Sequence, residues 1–381
     1  MTTASQPEEV LAPVPALTKK ASSDLSIEVA SQWQLMWWKF RKHHLAVLGG
    51  IVVLVFYFVA AFADFFAPVA PDTYIGDYAY APPQTINFIH DGRLEPYVNG
   101  YRFERDPVSF KKIWYIDETV VIPVGFFVRG EPYKLWGIFN LDIHLIGPQN
   151  VGDAFYLMGA DKSGRDVLSR IIFSSRISLS VGLVGVALSL ALGIILGGIS
   201  GLKAGLVDNL IQRLIEFTMS VPNLPIIIAF AAVVPIDWNA LHVYFVITLL
   251  LAFTSWTGLA RVVRSKFLAL REEDFVLAAR LDGAKPTRLI FRHMLPSFYS
   301  HIIASITLSL PGMIIGETAL SFLGVGLRPP VVSWGVMLQD AQRINVVASY
   351  PWLLMPAFAV FVIVLAFNFL GDGLRDAADP Y

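Results

Sequence analysis

Glu317 is the one carboxylate deep inside a long apolar stretch, in the segment LPGMIIGETALSFLGVG. An ionisable residue in such a stretch is a candidate functional residue, because burying its charge in lipid costs free energy. Pro311 and Gly316 lie just before it and weaken a helix. Two interpretations stay open. Glu317 lines a polar translocation pathway with Pro311 and Gly316, or it hydrogen-bonds a neighbouring helix or a freed backbone amide and stabilises the kink.

A second candidate is the charged segment DFVLAARLDGAKPTRLIFRHMLP, which begins at Asp274 and lies between long apolar runs. Residues 272–282 have helical composition, and Gly283 stands where a helix would end. Pro286 suits the first position of a second helix, which is expected to run to about Leu295. The segment therefore predicts a compact helix–turn–helix outside the lipid.

The side chains of this helix–turn–helix suit a docking element for a partner. Ala278 and Ala279 leave one face of the first helix shallow, so that another surface can approach closely, and Arg280 adds charge beside them. The alternative is a basic connector that only fixes the membrane topology. The residue types alone leave both interpretations open.

Several kinds of chemistry are excluded by what the sequence lacks. The chain has no cysteine, which excludes disulfides, thiolate catalysis and cysteine–zinc sites. It contains no Gly-Lys dipeptide, so it carries no P-loop ATPase, and no His-Glu-x-x-His or Gly-x-Ser-x-Gly motif. A net charge of −1 gives no reason to expect a nucleic acid. We expect no enzyme activity, catalytic residue, metal site or cofactor.

The composition indicates that lipid is the solvent for much of the chain. Only 15% of the 381 residues are charged, against about a quarter in soluble domains. A membrane helix needs about 20 mostly apolar residues. Six segments meet that requirement, and they predict an all-α integral membrane protein with six transmembrane helices: Leu45–Phe66, Ile177–Gly201, Leu214–Ile236, Leu241–Ala260, Ile302–Gly326 and Pro351–Gly371.

The distribution of basic residues predicts which side each loop faces. Eight Lys and Arg residues lie between Arg261 and Arg292, which places that loop in the cytoplasm. Counting spans from it places both the N-terminus and the C-terminus in the cytoplasm. The loop at residues 237–240 carries no Lys or Arg, as an outside loop should.

The predicted organisation has five parts. In residue numbers they are 1–44, a cytoplasmic tail, disordered at first, with a Trp-rich interfacial helix; 45–66, the first span; 67–176, an extracytoplasmic insertion and amphipathic lead-in; 177–371, a five-helix core with a cytoplasmic loop at 261–297; and 372–381, the cytoplasmic C-terminus. The apolar runs at Val120–Gly137, broken by Pro and Gly, predict short strands and turns in the insertion.

The charged loop resembles the cytoplasmic loop of ABC importer permeases, whose signature is Glu-Ala-Ala, three residues, Gly, and a late Leu-Pro. Five residues match and one departs, because Leu277 stands where the signature has Glu; the matches are Ala278, Ala279, Gly283, Leu295 and Pro296. Three further segments are similar to the C-type permeases of the dipeptide, oligopeptide and nickel family: Met158–Gly182, Gly316–Leu338 and Phe367–Pro380.

The resemblance implies a type I ABC permease core and a set of partners in the bacterial inner membrane. The chain would be one of two transmembrane subunits in a heterodimer, with two cytoplasmic ATPases and an extracytoplasmic solute-binding protein, importing peptides or peptide-like solutes. The residues implied to couple to an ATPase are Asp274, Leu277, Ala278, Ala279, Arg280 and Gly283.

Two other functions are weighed against this one. A stand-alone secondary transporter or channel would use Glu317 for ion coupling, but the sequence shows no inverted repeat. A membrane enzyme would need a site in residues 67–176, where no catalytic grouping occurs.

Overall fold

The computed structural model describes residues 32–378, with gaps at residues 91, 109 and 236. The predicted disordered tail at residues 1–30 lies outside the described residues. The segment predicted to form an interfacial helix contains a helix, α1 Gln32–Lys42, which ends in Lys39, Arg41 and Lys42.

The described residues form a helical bundle that carries one β-sheet. The helices that follow α1 are α2 His44–Ala61, α3 Ala63–Phe66, α4 Val167–Lys203, α5 Gly205–Ser220, α6 Asn223–Ala232, α7 Ala240–Leu270, α8 Asp274–Leu281, α9 Pro286–Phe322, α10 Trp334–Gln339, α11 Ile344–Ser349 and α12 Pro351–Ala378. Five of them (α2, α4, α7, α9 and α12) are long and apolar enough to cross a membrane, and the bent pair α5–α6 would make a sixth span.

The second predicted span is longer than its apolar core. Helix α4 begins at Val167, ten residues before the predicted Ile177, because Asp166 caps its N-terminus by accepting hydrogen bonds from the backbone N–H groups of Leu168 and Ser169. The predicted amphipathic lead-in is therefore the first part of the same helix. Its 37 residues extend about 55 Å, well beyond the hydrocarbon layer.

The third predicted span is not one continuous helix. Helices α5 and α6 meet at an angle of 83°. Pro222 lies at the break: Val221 before it has extended backbone, and Asn223 after it is the first residue of α6. The predicted end of this span, residue 236, lies outside the described residues.

The second helix of the predicted helix–turn–helix is longer in the structure than predicted. Pro286 does begin a helix, but that helix does not end near Leu295. It continues through a π turn at Leu289–Met294 and a 3₁₀ turn at Leu295–Phe298 into the long helix that ends at Phe322. The loop and the fifth span are therefore one helical element.

The segment between α3 and α4 contains an antiparallel sheet in the order β1-β2-β3-β4, which corrects the all-α prediction. Its strands are β1 Asn87–His90, β2 Arg93–Arg105, β3 Lys112–Leu135 and β4 Phe139–Pro148. The prediction of short strands is wrong for β3, which runs for 24 residues. Pro123 does not end it, because β3 there changes from pairing with β2 to pairing with β4.

Glycines allow the long helices to approach closely. A Cβ atom added at Gly197 of α4 would overlap the carbonyl oxygen of Ala260 in α7. A Cβ atom added at Gly49 of α2 would lie 2.5 Å from the carbonyl oxygen of Ala366 in α12. Because lipid gives no hydrophobic drive to bring helices together, close backbone packing of this kind holds the bundle together.

Candidate functional site

Helix α8 is a short amphipathic helix with a well-defined end. Gly283 has φ +76°, and the N–H of the following Ala284 donates to the carbonyl oxygen of Ala279 at 3.0 Å. This is the helix-terminating arrangement in which glycine adopts the left-handed conformation. The prediction that Gly283 ends the helix is confirmed, with helix bounds of Asp274–Leu281.

One face of α8 packs on its own chain. Val276 is fully buried, and Ala279 is almost so, in a cluster with Phe267 of α7 and with Leu289 and Ile290 of α9. The prediction that Ala278 and Ala279 share one open face is therefore wrong for Ala279. The alanines are adjacent in sequence, so successive residues turn to different sides of the helix.

The opposite face of α8 is exposed and apolar. Leu281 is 89% exposed, Phe275 and Leu277 are exposed by 44% and 36%, and Ala278 is exposed beside them. We call Phe275, Leu277, Ala278 and Leu281 the outer face of α8. Exposed charged residues surround it, namely Asp274, Arg280, Lys285 and Arg288. An apolar patch with a polar rim, outside the spanning segments, is typical of a protein–protein interface.

A half-buried ion pair joins α7 to the start of α5. Arg264 of α7 makes a bidentate contact to Asp208 of α5, with Nε–Oδ1 at 2.6 Å and Nη2–Oδ2 at 2.5 Å. The hydroxyl of Ser200 in α4 donates to the same carboxylate. In the sequence, Arg264 is one of the eight basic residues that indicate topology, and no pattern there pairs it with Asp208. Asp208 could have been found from its position, because it is a carboxylate in the first turn of the helix that follows α4.

Glu317 lies in α9 at the centre of a buried polar network. Its side chain is fully buried and accepts hydrogen bonds from three hydroxyl groups: those of Ser178 at 3.2 Å, Ser321 at 2.8 Å and Ser333 at 2.7 Å. A buried carboxylate is stabilised when its oxygens receive several donors.

Each serine links Glu317 to a backbone amide. The N–H of Trp334 donates to the Ser178 hydroxyl at 3.2 Å, and the N–H of Leu327 donates to the Ser321 hydroxyl at 3.0 Å. The Ser333 hydroxyl likewise accepts from the N–H of Val336, as the N-cap of α10. The network thus ties α4, α9 and α10 together.

The other two predicted pathway residues also contact the interior of this chain. Pro311 is buried within α9, and a Cβ atom added at Gly316 would lie 2.8 Å from Leu251 of α7. These contacts favour the second interpretation of Glu317, as a carboxylate that holds helices together. The three serines were not among the predicted site residues, although Ser321 is four residues after Glu317 and so lies on the same helix face.

A hydroxyl-lined cavity of about 390 Å³ lies between α4, α7 and α9. Four serines line it, together with Gly258 and apolar residues: Ser189, Ser255, Ser305 and Ser309. Three of these hydroxyls donate to carbonyl oxygens one turn back in their own helices. Their oxygens keep acceptor capacity. None of the predicted pathway residues is among the cavity's lining.

A tight turn precedes α4 and holds two buried carboxylates. Asp161 accepts from the backbone N–H groups of Ser163 and Arg165 at 2.8 and 3.0 Å, and it also contacts the guanidinium of Arg170. Burial raises the pKa of Asp166 from its ordinary value of 3.8 to about 6, against the opposing effect of the hydrogen bonds from Ser169. These hydrogen bonds hold the turn at residues 161–166 in one conformation at the start of α4.

Comparison with known proteins gives two family matches. Residues 192–381 match the binding-protein-dependent transport system inner membrane component, and residues 31–83 match the N-terminal TM domain of oligopeptide transport permease C. The stretch 84–191, which contains the sheet, lies between the two matches.

Several curated relatives are similar over most of their length. The dipeptide transport system permease protein DppC of Alkalihalophilus pseudofirmus is 38% identical over 60% of this chain and 72% of its own. The oligopeptide transport system permease protein OppC of Bacillus subtilis is 37% identical over 58% and 70%. The glutathione transport system permease protein GsiD of Salmonella paratyphi A is 37% identical over 73% and 88%.

The chain belongs to the family of binding-protein-dependent ABC importer permeases, as integral components of the inner membrane. It is a multi-pass membrane subunit of a transport system rather than the whole system. This confirms the resemblance drawn from the charged loop and the three flanking motifs.

Proposed function

We propose that this chain is one of two transmembrane subunits of an ATP-driven peptide importer, and that the outer face of α8 couples it to an ATPase. The observation that carries the coupling role is the exposed apolar face Phe275, Leu277, Ala278 and Leu281, which lies on a helix otherwise anchored to the chain. Burying such a face needs a protein partner, because α8 lies outside the spanning segments.

The proposed route of coupling runs through the buried face of α8. Val276 and Ala279 pack against Phe267 in α7 and against Leu289 and Ile290 in α9. Displacement of α8 by an ATPase would therefore move both long helices as a packed unit, since close-packed interiors transmit rather than absorb strain. The ion pair of Asp208 with Arg264 would make the start of α5 follow.

Leu277 gives this docking a different chemistry from that of the family signature. A carboxylate at this position could pair with a basic residue of the ATPase, whereas Leu277 can contribute only apolar contact. The proposed interface relies on burial of Leu277 and Leu281, with Asp274 and Arg280 at its rim. Docking should therefore depend weakly on ionic strength.

The proposed translocation pathway passes the serine-lined cavity between α4, α7 and α9. Hydroxyl oxygens and an open glycine face, at Gly258, suit the passage of amide-containing solutes better than a purely apolar wall. A sibling permease would complete the pathway from the other side. Glu317 is proposed to stabilise the bundle beside the pathway.

The proposed topology has six spans, counting α5–α6 as one, with both termini and α8 in the cytoplasm and the sheet outside. The basic residues around α8 and at the end of α1 support this orientation. Cargo is proposed from the relatives, whose names refer to dipeptides, oligopeptides and glutathione. Compounds with peptide bonds are the common class.

The experiment that tests this function is uptake into vesicles. The chain is reconstituted with a sibling permease, two ATPases and the solute-binding protein, and uptake of labelled dipeptides and oligopeptides is measured. We expect uptake only with ATP and the binding protein present. Uptake by this chain alone, driven by an ion gradient, would instead establish the stand-alone transporter.

A further inference from the structure

The hairpin of β3 and β4 carries an apolar tip at the end of the first span. The strands join through a turn in which both Trp136 and Gly137 have positive φ, at +52° and +72°. A bulky residue rarely adopts this conformation unless its surroundings enforce it. The Trp136 indole N–H donates to the carbonyl oxygen of Ala61 at 2.8 Å, and Ala61 is the last residue of α2.

The length of α2 fixes the level of this tip in the membrane. Its 18 residues extend about 27 Å, close to the roughly 30 Å of the hydrocarbon core. The carbonyl of Ala61 therefore lies near the boundary between hydrocarbon and headgroups, and Trp136 lies at the same level. Tryptophan is enriched at that boundary, where its ring is apolar and its N–H finds a polar partner.

A second contact shows that the hairpin points its tip toward the bundle. His144 of β4, nearer the other end of the strand pair, lies 2.6 Å from the carbonyl oxygen of Ala67 through its Nδ1 atom. Ala67 follows Ala61 by six residues along the chain as it leaves the bundle. The hairpin therefore runs beside residues 61–67 with Trp136 nearest to the span.

The apolar side of the tip is exposed and continues the outward surface of α2. Trp136 is 55% exposed, Ile138 72% and Phe139 54%. Aromatic rings join Trp136 to the helix: the ring centroids of Phe58 and Phe62 lie 4.9 Å apart, and those of Phe62 and Trp136 lie 5.1 Å apart. The outward stripe of α2 continues down the helix from Phe58 through Val55, Ile51 and Leu48.

We propose that Trp136, Ile138 and Phe139 insert into the headgroup boundary of the bilayer and anchor the sheet to the lipid surface. Lys134, exposed beside the tip, suits the same boundary because its charge can reach the headgroups. The hairpin lies in the stretch 84–191, which neither family match covers, so this anchor is a feature of the added sheet. It depends only on α2 spanning the membrane and not on the coupling role of α8.

The absence of cysteine allows a direct test with one probe per molecule. A single Ile138→Cys change in the full chain is labelled with an environment-sensitive fluorophore, in the assembled transporter whose partner subunits have had their own cysteines replaced. The complex is placed in nanodiscs that contain either plain phospholipid or phospholipid with a nitroxide near the headgroup. The matched control is Arg129→Cys, a position that is 84% exposed and about 20 Å farther along β3 from the tip.

We expect the probe at position 138 to emit at shorter wavelength than the probe at position 129. It should also be quenched more strongly by lipid nitroxide and less by aqueous iodide. Strong iodide quenching at position 138, equal to that at position 129, would overturn the proposal. Shielding from both quenchers would also overturn it, because a protein surface and not lipid would then cover the tip.

Discussion

Replacement of Ser333 by alanine tests the polar network around Glu317. The Ser333 hydroxyl donates to Glu317 at 2.7 Å and accepts from the N–H of Val336 as the N-cap of α10. Loss of an N-cap costs about 1 kcal/mol. Loss of a hydrogen bond to a carboxylate costs about 1.5–3 kcal/mol. We expect Ser333→Ala to lower the free energy of unfolding by about 2.5–4 kcal/mol.

The measurement is chemical unfolding of the purified chain in mixed detergent micelles. The matched control is Ser309→Ala in α9, whose hydroxyl donates only to a carbonyl oxygen within the helix and whose side chain is exposed. That change should alter the free energy of unfolding by less than about 0.5 kcal/mol. Equal unfolding curves for the two variants would refute the account of Glu317 as the centre of a structural network.

Three further predictions address docking, protonation and the pathway. Leu281→Ala should weaken binding of the ATPase about 50-fold, because about 2.4 kcal/mol of burial is lost, and calorimetric titration of the reconstituted permease checks this. Because the pKa of Asp166 is raised from 3.8 to about 6, the folded chain binds more protons between these pH values, and stability falls as pH rises through them. Asp166→Asn should reduce the change in the free energy of unfolding between pH 4 and pH 7 by about 3 kcal/mol. Chemical unfolding at both pH values measures this change, and the same pH dependence in the variant as in the original chain would contradict the prediction. Gly258→Leu should reduce peptide uptake without lowering stability, since among the described residues an added Cβ meets no atom within 4 Å apart from its own helix backbone and chain neighbours, and the side chain extends into the cavity; normal uptake would remove Gly258 from the pathway.

The sequence predicted most of the membrane architecture because apolar length and helix-ending residues act locally. Apolar runs identified the spanning helices, and Gly283 identified the end of α8 because its turn requires a positive φ. The break between α5 and α6 was harder to predict. A proline can either kink a span or divide it, and the packing of neighbouring helices decides which.

Long-range contacts explain the remaining differences between the predicted features and the structure. The single 24-residue strand β3 was mistaken for short strands because Pro123 lies where β3 changes partner, and strand pairing is not visible along one segment. Ala279 faces its own chain because α9 continues beneath α8 and supplies Leu289 and Ile290. The serine partners of Glu317 come partly from residues far away in sequence, such as Ser178.

The most direct test of the coupling role is ATP hydrolysis by the full complex with Ala278→Trp, with Ala278→Ser as the matched control. Because Ala278 lies on the outer face of α8, either residue can be accommodated by the fold, but only tryptophan holds the ATPase away. We predict that membrane insertion is retained in both variants. Substrate-stimulated hydrolysis and peptide uptake should be lost with Ala278→Trp and retained with Ala278→Ser. Normal stimulated hydrolysis and uptake with Ala278→Trp would contradict the assignment of α8 as the coupling element.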